Sequence, residues 1–340
     1  DSDLPITRTE QGNRILARHG SADARQRIDI SSVYSAIQIR YAGDRGKTSA
    51  GGDNDDKHIS NTVREEIVVT PYTKISVEGL VGDIQLEGTD EPGVHIAATR
   101  VVWVPNDSKA PSALEALALR VDHDKATDQL TIRTVLTADM ETLQCSQYRV
   151  NLEIRYPRTL PVTVTGEDGR TQVSGNVAPV SIDQTTGVIS ALRFAGPLTL
   201  SNKNGGIRIT GGTGTVDAKA RYGDIHLERP GGDISVSGQQ GDIIIDSPGA
   251  SVQVRNNLGN VRILALKGVA GNYDVLVEEG DLSLVLGALP AANLNVSVDG
   301  GTVDSVYGIL GRRKAEYKNY VGEGAFSMQL ITRNGDIVLD

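Results

Sequence analysis

Three aspartates at nine-residue spacing are the side chains of this chain that could bind a metal ion. Asp224, Asp233 and Asp242 each follow a glycine and precede an isoleucine. Nonapeptide repeats of Gly and Asp are typical of calcium-binding β-rolls, whose pattern is Gly-Gly-x-Gly-x-Asp-x-apolar-x. Here the aspartate comes directly after the first glycine, and the second and third glycines of that pattern are mostly missing. Calcium is therefore the less favoured interpretation, and no other cofactor is expected.

Turn formation is the interpretation that we favour for the same aspartates. If successive copies stack like neighbouring strands, Asp224 and Asp242 lie about 4.8 Å apart. Two such charges repel by about 1 kcal/mol in water. A cation would relieve that repulsion, and so would splayed carboxylates that accept hydrogen bonds from turn N–H groups, the ordinary use of Asp beside Gly. The acidic segment 51–57 is interpreted as a solvated loop.

The remaining reactive groups do not form a recognisable catalytic pattern. No two of the five histidines stand at metal-ligand spacing. Neither a Gly-x-Ser-x-Gly nucleophile motif nor a phosphate-binding glycine loop occurs. His226 falls between two apolar positions of its repeat, so we expect an exposed side chain. Polysaccharide-degrading β-helices need walls around a cleft, and only residues 307–324 offer a long side loop. The sequence predicts that this protein is not an enzyme.

Composition narrows the range of partners. The net charge is -9 and no basic stripe is present, which argues against binding to nucleic acid or to an anionic membrane surface. Aromatic residues make up 4% of the chain, too few for a long sugar-stacking platform, although Tyr317 and Tyr320 could form a small patch. The single cysteine, Cys145, excludes an internal disulfide. No apolar run reaches 18 residues, so no membrane span is expected.

A glycine repeat defines the elements that must carry these side chains. Steps of nine from Gly187 to Gly268 meet glycine at nine of ten positions. Apolar residues stand two and four positions after most of these glycines, with a mostly polar residue between them. Alternation of this kind is the period of a β-strand, and glycine supplies the backbone freedom for a corner. Each nonapeptide is predicted to be one strand and one turn, which together indicate a solenoid.

The repeat also has a double period. The tails ERPG (228–231) and DSPG (246–249) lie eighteen residues apart, and SGQQ (237–240) and RNNL (255–258) do the same. The sequence therefore predicts an all-β protein, a β-solenoid or β-helix with coils of about eighteen residues and two strands per coil. We expect a solenoid domain over 63–340, with a regular nonapeptide block over 187–276 and an insertion at 307–324. Residues 1–62 are expected to form a short N-terminal arm, which either caps its own solenoid or donates a strand to a neighbouring molecule.

Three stretches carry a resemblance to a known family. They are VVTPYTKISVEGLVGDIQLEGTDEPGVHIAATR (68–100), YRVNLEIRYPRTLPVTVTGEDGRTQVSGNV (148–177) and VGEGAFSMQLITRNGDIVL (321–339). Together they resemble the bacterial putative-adhesin family of β-strand-repeat proteins, with repeated Gly-Asp-Ile. The resemblance covers residues 63–340. It implies a β-solenoid that is exported or displayed at the cell envelope, and it implies no catalytic residues.

The two ends of the predicted solenoid suggest self-assembly. Asp340 directly follows the last predicted strand, 335–339, so no polar cap follows that strand in the sequence. An open coil exposes unpaired backbone groups. The candidate assembly residues lie in the predicted strand 31–41 and in the last strand: Val33, Ile37, Ile39, Ile337 and Leu339.

The functional expectation combines these observations. We expect a non-enzymatic, structural or adhesin-like protein outside the cytoplasm, at the cell surface, secreted or periplasmic. It would be a homo-oligomer or a head-to-tail filament. The alternative is a monomeric cell-envelope binding module that recognises a glycan, a protein or a signal through one face or through the loop 307–324.

Overall fold

The computed structural model divides into two compact units, Asp1–Asp53 and Asn54–Asp340. The residues that it describes form β-strands, turns and one short helix. The structure describes the backbone of residues 7–11, 14–18, 28–30, 57–287, 292–306, 311–312, 315–321 and 326–340. Side chains are described for residues 57–287, 292–306 and 326–340. The first unit contains an antiparallel sheet of three strands, β1 (Thr7–Gln11), β2 (Arg14–Arg18) and β3 (Ile28–Ile30).

The second unit is a β-solenoid. Its N-terminal part contains β4 (Lys57–Ile67), β5 (Lys74–Val81), β6 (Ile84–Thr89), β7 (Val94–Val104), α1 (Ala110–Ala116), β8 (Leu117–Asp124), β9 (Gln129–Leu136) and β10 (Gln147–Pro157). The coils that follow contain β11 (Val162–Ser174), β12 (Val180–Leu192), β13 (Leu198–Asn204), β14 (Ile207–Thr210), β15 (Val216–Tyr222), β16 (Ile225–Glu228), β17 (Ile234–Gln240), β18 (Ile243–Asp246), β19 (Val252–Leu258) and β20 (Val261–Ala265). The C-terminal part contains β21 (Tyr273–Glu279), β22 (Leu282–Leu286), β23 (Ala292–Val298), β24 (Thr302–Ser305), β25 (Gly311–Arg312), β26 (Ala315–Val321), β27 (Phe326–Asn334) and β28 (Ile337–Leu339).

The predicted eighteen-residue coil is confirmed by the strand register. Val180 pairs with Leu198, Leu198 pairs with Val216, and Val216 pairs with Ile234, always in parallel. Each coil gives one strand to a first sheet, which contains β13, β15, β17, β19 and β21. It gives one strand to a second sheet, which contains β14, β16, β18, β20 and β22. The longer strands β11 and β12 run through both sheets.

Alternating residues of both sheets fill a thin core. In β13, Leu198 and Leu200 are buried, while Thr199 between them is exposed. The opposite strand β14 buries Ile207 and Ile209. Since strand side chains alternate between the two faces of a sheet, the outward residues of successive coils stack into columns. Those columns are the surface on which a ligand could be recognised.

The spacing changes at the tenth predicted nonapeptide. Val252 pairs with Tyr273, twenty-one residues further along the chain. Gly268 lies in a turn, and Ala270 and Asn272, predicted to point inward, are exposed. The turn before β21 takes up the three additional residues, so strand pairing resumes in register.

The last strands of the chain do not form the end of the solenoid. β27 pairs in parallel with β21 and with β23, and β28 pairs with β22 and with β24. Strands β23 and β24 therefore form the outermost of ten coils. Antiparallel strands β26 and β25, both within the predicted insertion 307–324, pair with this outermost coil.

Antiparallel strands also flank the coils at the other end. The hairpin of β8 and β9 pairs with β5 in the first sheet, and β10, β7 and β4 extend the second sheet beyond β6. Strand β4 joins this unit from Lys57, so it crosses the predicted boundary between residues 62 and 63. Helix α1 begins with Pro in its first turn, which suits the free N–H positions there, and buries Ala113 and Leu114.

One corner of each coil depends on glycine. Gly205 has a φ of +139°, and a Cβ atom there would lie 1.7 Å from the carbonyl oxygen of Gly187 in the preceding coil. Buried amides hold the same corner: the Nδ2 of Asn256 donates to the carbonyl oxygens of Gly241 and Gly259, at 3.0 and 2.9 Å. The corners are therefore fixed in both conformation and spacing.

Candidate functional site

The aspartates that follow the corner glycines bond to the next coil. The N–H of Asp242 donates to Oδ1 of Asp224 at 2.9 Å, and the N–H of Asn260 donates to Oδ1 of Asp242 at 2.8 Å. The same bond joins the N–H of Asp336 to Oδ1 of Asp281 at 2.9 Å. Turn chemistry was expected, but the bonded N–H belongs to the neighbouring coil. The carboxylates therefore connect successive corners.

Asp233 lies at the opposite corner from Asp224 and Asp242. Its Oδ1 accepts a hydrogen bond from the N–H of Ser251 at 3.1 Å. The three aspartates that could have formed a calcium site are thus divided between two corners. In the part of the chain that the structure describes, no group of three or more His, Cys, Asp or Glu side chains is arranged to hold a metal ion.

The first sheet presents hydroxyl groups and paired charges. Short polar side chains occupy its outward positions near the N-terminal end: Thr163, Thr165, Ser181, Thr199 and Ser201. Further along, Lys219 bonds to Asp217 at 3.2 Å and Arg333 bonds to Glu278 at 2.9 Å. Because these charges compensate each other, this face offers mainly hydrogen-bonding groups.

The second sheet presents a concentration of basic side chains. Reading one outward column coil by coil gives Ser190, Arg208, His226, Ile244 and Arg262. Both arginines are exposed, and His226 is partly buried. Two more exposed arginines, Arg193 and Arg229, stand at the adjoining corner. We call Arg193, Arg208, His226, Arg229 and Arg262 the arginine strip.

The two corner arginines have an unusual backbone. Arg193 has a φ of 49° and Arg229 a φ of 51°, in the left-handed region where a side chain other than that of Gly, Asn or Asp is uncommon. The N–H of Arg193 donates to the carbonyl oxygen of Thr210, and that of Arg229 to the carbonyl oxygen of Asp246. These interstrand bonds hold the corner in place and direct both backbone segments to the edge of the second sheet.

Two carboxylates lie beside the arginine strip. Glu228 pairs with Asp246 in the neighbouring outward column. Arg229 contacts Glu228 at 2.7 Å, and the hydroxyl of Ser247 donates to Asp246 at 2.7 Å. The strip and the two carboxylates beside it therefore offer positively charged hydrogen-bond donors next to carboxylate acceptors.

The electrostatic surroundings of His226 keep its imidazole neutral near neutral pH. Partial burial lowers its pKa, and the neighbouring charge of Arg208 lowers it further. Glu228 and Asp246 act in the opposite direction but do not outweigh these effects. The sequence predicts an exposed His226, whereas the structure shows it partly buried in a column that also contains arginines.

A second polar cluster, at the N-terminal end of the solenoid, joins two segments of the chain through hydrogen bonds. Asp128 accepts hydrogen bonds from the hydroxyls of Thr70 and Thr73 and contacts Nε2 of His123 at 3.3 Å. The hydrogen bond from Thr70 lowers the pKa of Asp128 most, and the hydrogen bond from Thr73 lowers it further. Both hydroxyls donate to the carboxylate, whose lowered pKa makes it a weak base. It ties the segment before β5 to the hairpin of β8 and β9.

The predicted assembly residues are only partly within the described chain. Ile337 and Leu339 are buried in the core, at 0% and 1% exposure, and their strand is paired along both edges. Val33, Ile37 and Ile39 lie outside the described residues. The side chains of Tyr317 and Tyr320 also lie outside them, although their backbone belongs to β26.

The arginine strip was not recognised from the sequence, although a signal for it was present. Reading every ninth residue mixes the two sheets and alternates Arg208 and His226 with Asp217 and Ser235. Reading every eighteenth residue separates the sheets and places Arg208, His226 and Arg262 in a single column. The corner arginines give no signal of this kind, because their column also contains Gly211 and Ser247.

Comparisons with known proteins give fold-level likenesses. No family model matches the chain, and no curated protein matches it. Among solved structures, it is similar to a putative adhesin from Bacteroides fragilis, with 13% identity over 82% of this chain and 97% of that one and a TM-score of 0.33. A putative cell adhesion protein from Clostridium sporogenes has 11% identity over 82% and 99%, with a TM-score of 0.22. A putative lipid binding protein from Parabacteroides distasonis has 11% identity over 82% and 97%, with a TM-score of 0.31.

One further property concerns membranes. Among the described residues, no helix combines the length and the hydrophobicity needed to cross a bilayer.

Proposed function

We propose that this protein is a non-enzymatic, adhesin-like binding scaffold that acts outside the cytoplasm. The observation that carries the proposal is the unbroken parallel register of the coils from β11 to β22. It places outward side chains in columns at about 4.8 Å spacing on two sheets. A ligand that extends along the solenoid can then make many weak contacts at once, which together give useful affinity.

The location is carried over from what the sequence resemblance implies, a protein of the kind usually exported or displayed at the cell envelope. A non-enzymatic role is supported by the surroundings of the reactive groups. Asp224, Asp233 and Asp242 each accept a hydrogen bond from a backbone N–H of the next coil, and the hydroxyls of Thr70 and Thr73 donate to Asp128.

Binding through the faces is favoured over assembly through the ends. The filament hypothesis depended on an open last strand and on the strand 31–41. The last strand, β28, lies between β22 and β24, and the strand 31–41 lies outside the described residues. The outermost coil is followed by an antiparallel strand, β26. The extended polar sheets are the surfaces that the solenoid repeats from coil to coil, so we place recognition there.

The test is a binding screen combined with a mass measurement. Purified full-length protein would be applied to a surface array of neutral polysaccharides, acidic polysaccharides and bacterial peptidoglycan, while light scattering records its mass in solution. We expect one class of ligand to be retained, with its chain length unchanged after prolonged incubation. A variant carrying Arg208→Gln and Thr199→Gln changes one outward residue on each sheet and is expected to weaken retention without changing the circular dichroism spectrum.

Three results would contradict this proposal. Shortening of the retained polymer would indicate an enzyme. Large particles that form without ligand would favour a structural filament. Failure to retain any of the three classes would remove the support for a binding scaffold.

A further inference from the structure

We propose that the arginine strip of the second sheet binds an acidic polysaccharide, with its carboxylates on the arginines and its hydroxyls on the neighbouring Ser, Thr and carboxylate side chains. This inference deepens the proposed function and depends on it. It names the ligand class and the surface that the binding screen leaves open.

The charge of the strip is distinct from that of the whole molecule. Four arginines stand in and beside one outward column, with Glu228 and Asp246 next to them and Asp224 and Asp242 at the corner on the other side, in a protein whose net charge is -9. Of the four, Arg229 is paired with Glu228. Arg208 and Arg262 are exposed in the same outward column, three coils apart, which corresponds to about 14 Å. Among the described residues, neither Arg208 nor Arg262 makes a salt bridge, so both guanidinium groups are open to an anionic ligand.

The arginines follow the axis of the solenoid. Arg193 belongs to the coil of β12, Arg208 to the coil of β14, and Arg229 follows β16, so three successive coils each provide a guanidinium group. Their spacing along the axis is about 4.8 Å per coil. A linear polyanion that lies along the axis therefore meets an arginine at each of these three coils. Guanidinium groups suit carboxylates because they donate two parallel hydrogen bonds.

The two carboxylates beside the strip favour one class of polyanionic ligand over others. Glu228 and Asp246 would repel a ligand whose every group is anionic, such as a nucleic acid or a phospholipid surface. Hydroxyl groups, by contrast, can donate to these carboxylates and can also bond to Ser190 and Thr210 in the same two columns. A polymer that alternates carboxylates with hydroxyls can bond both to the arginines of the strip and to the carboxylates beside it.

A peptide ligand fits less well, because recognition of an extended peptide commonly uses the free edge of a strand. Strands β14, β16 and β18 are paired along both edges. Only their side chains are available, and these present charges and hydroxyls rather than pockets for peptide side chains. An acidic sugar polymer is thus the better match for this face.

His226 adds a pH dependence to the expected binding. In the free protein its column neighbours are Arg208 and Ile244, and the carboxylates beside it are Glu228 and Asp246. Burial and Arg208 lower its pKa below the ordinary value. A bound carboxylate would stabilise the imidazolium and raise that pKa. Binding therefore takes up a proton, and affinity should increase as the pH falls.

The experiment measures binding of full-length protein to immobilised polygalacturonate, with the methyl-esterified polymer as a matched uncharged ligand. We expect binding to the acid form alone, decreasing as ionic strength rises from about 0.01 M to about 0.15 M. The variant R208Q/R262Q should bind at least about tenfold more weakly, because two charge-assisted contacts are lost. The control variant R221Q/R333Q makes the same change of charge on the first sheet and should bind like the wild type.

A second variant tests the pH dependence. For the wild type, affinity should increase by up to about tenfold between about pH 7 and about pH 5, and His226→Gln should remove this increase. Equal binding of the esterified polymer, or equal loss in R221Q/R333Q and R208Q/R262Q, would overturn the assignment. If polygalacturonate fails while the screen retains a neutral polysaccharide or peptidoglycan, the strip proposal is wrong and the binding scaffold stands.

Discussion

At the level of single residues, the corner aspartates show how a short side chain joins one coil to the next. At this corner the backbone leaves the sheet, and the N–H after each turn glycine needs an acceptor. Oδ1 of Asp242 provides one for the N–H of Asn260, and Oδ1 of Asn260 then provides one for the N–H of Asp281. Asp and Asn can both take this role because either side chain offers the oxygen. The chain of bonds therefore needs an acceptor rather than a charge.

Substitution of Asp242 tests that conclusion. Asp242→Ala removes the acceptor for the N–H of Asn260 and should lower the free energy of unfolding by about 1 kcal/mol. Asp242→Asn keeps an oxygen in place and should change it by less than about 0.5 kcal/mol. Urea denaturation monitored by circular dichroism measures both values. Asp217→Ala is the matched control, because Asp217 lies on the sheet face and pairs only with exposed Lys219.

Calcium binding at this corner would predict a different result for the same variants. If Asp224 and Asp242 bound calcium, added calcium would raise the urea midpoint of the wild type, and Asp242→Asn would abolish that increase. We expect no change of the midpoint in either protein. A calcium-dependent increase in the wild type alone would show that the corner carboxylates have a role beyond hydrogen bonding.

At the level of elements, the last strand shows that order along the chain and order along the solenoid can differ. β28 lies between two earlier strands, β22 and β24. Its inward residues Ile337 and Leu339 are consequently part of the core, whereas Val338 between them faces outward and is partly buried. Alternation along the strand thus determines which of its side chains contribute to stability.

Alanine substitutions of adjacent residues in β28 separate a core strand from an exposed end strand. Ile337→Ala should lower the free energy of unfolding by about 2–5 kcal/mol, because it leaves a cavity in the core. Val338→Ala should cost less than about 1.5 kcal/mol, since its side chain is only partly enclosed. Equal and small effects of both substitutions would mean that β28 is an exposed end strand. Chemical denaturation and the mass in solution should be measured for both variants.

The elements also show which parts of the fold follow from sequence. The eighteen-residue coil could be predicted because local alternation and glycine spacing determine it, as in the pairing of Leu198 with Val216. The position of β28 could not, because it depends on pairing with β22 and β24, both distant in sequence. The arginine strip required the correct period: the nonapeptide hides it, and the full coil reveals Arg208 beneath His226.

At the level of the whole solenoid, stability is expected to be a sum over coils. Each internal coil contacts only the coils before and after it, as the register of β13, β15 and β17 shows. Proteins of this kind behave approximately as one-dimensional arrays in which each unit contributes its own stability and that of its interfaces. The antiparallel strands that flank the coils are not repeating units, so their contribution stands outside this sum.

Duplication of one coil tests this picture. A second copy of residues 216–233 adds a complete coil, so each strand still meets a strand of its own sheet and the corner glycines still stack. We expect a folded protein that is at least as stable as the wild type, with a larger dependence of unfolding free energy on urea, because more surface is buried. Duplication of residues 225–233 adds half a coil and should prevent folding. Each four-residue strand of the second sheet would then have to pair with a seven-residue strand of the first sheet. If both insertions fold equally well, the nonapeptide rather than the full coil is the structural unit, and the separation of the two sheets on which the arginine strip depends would no longer hold.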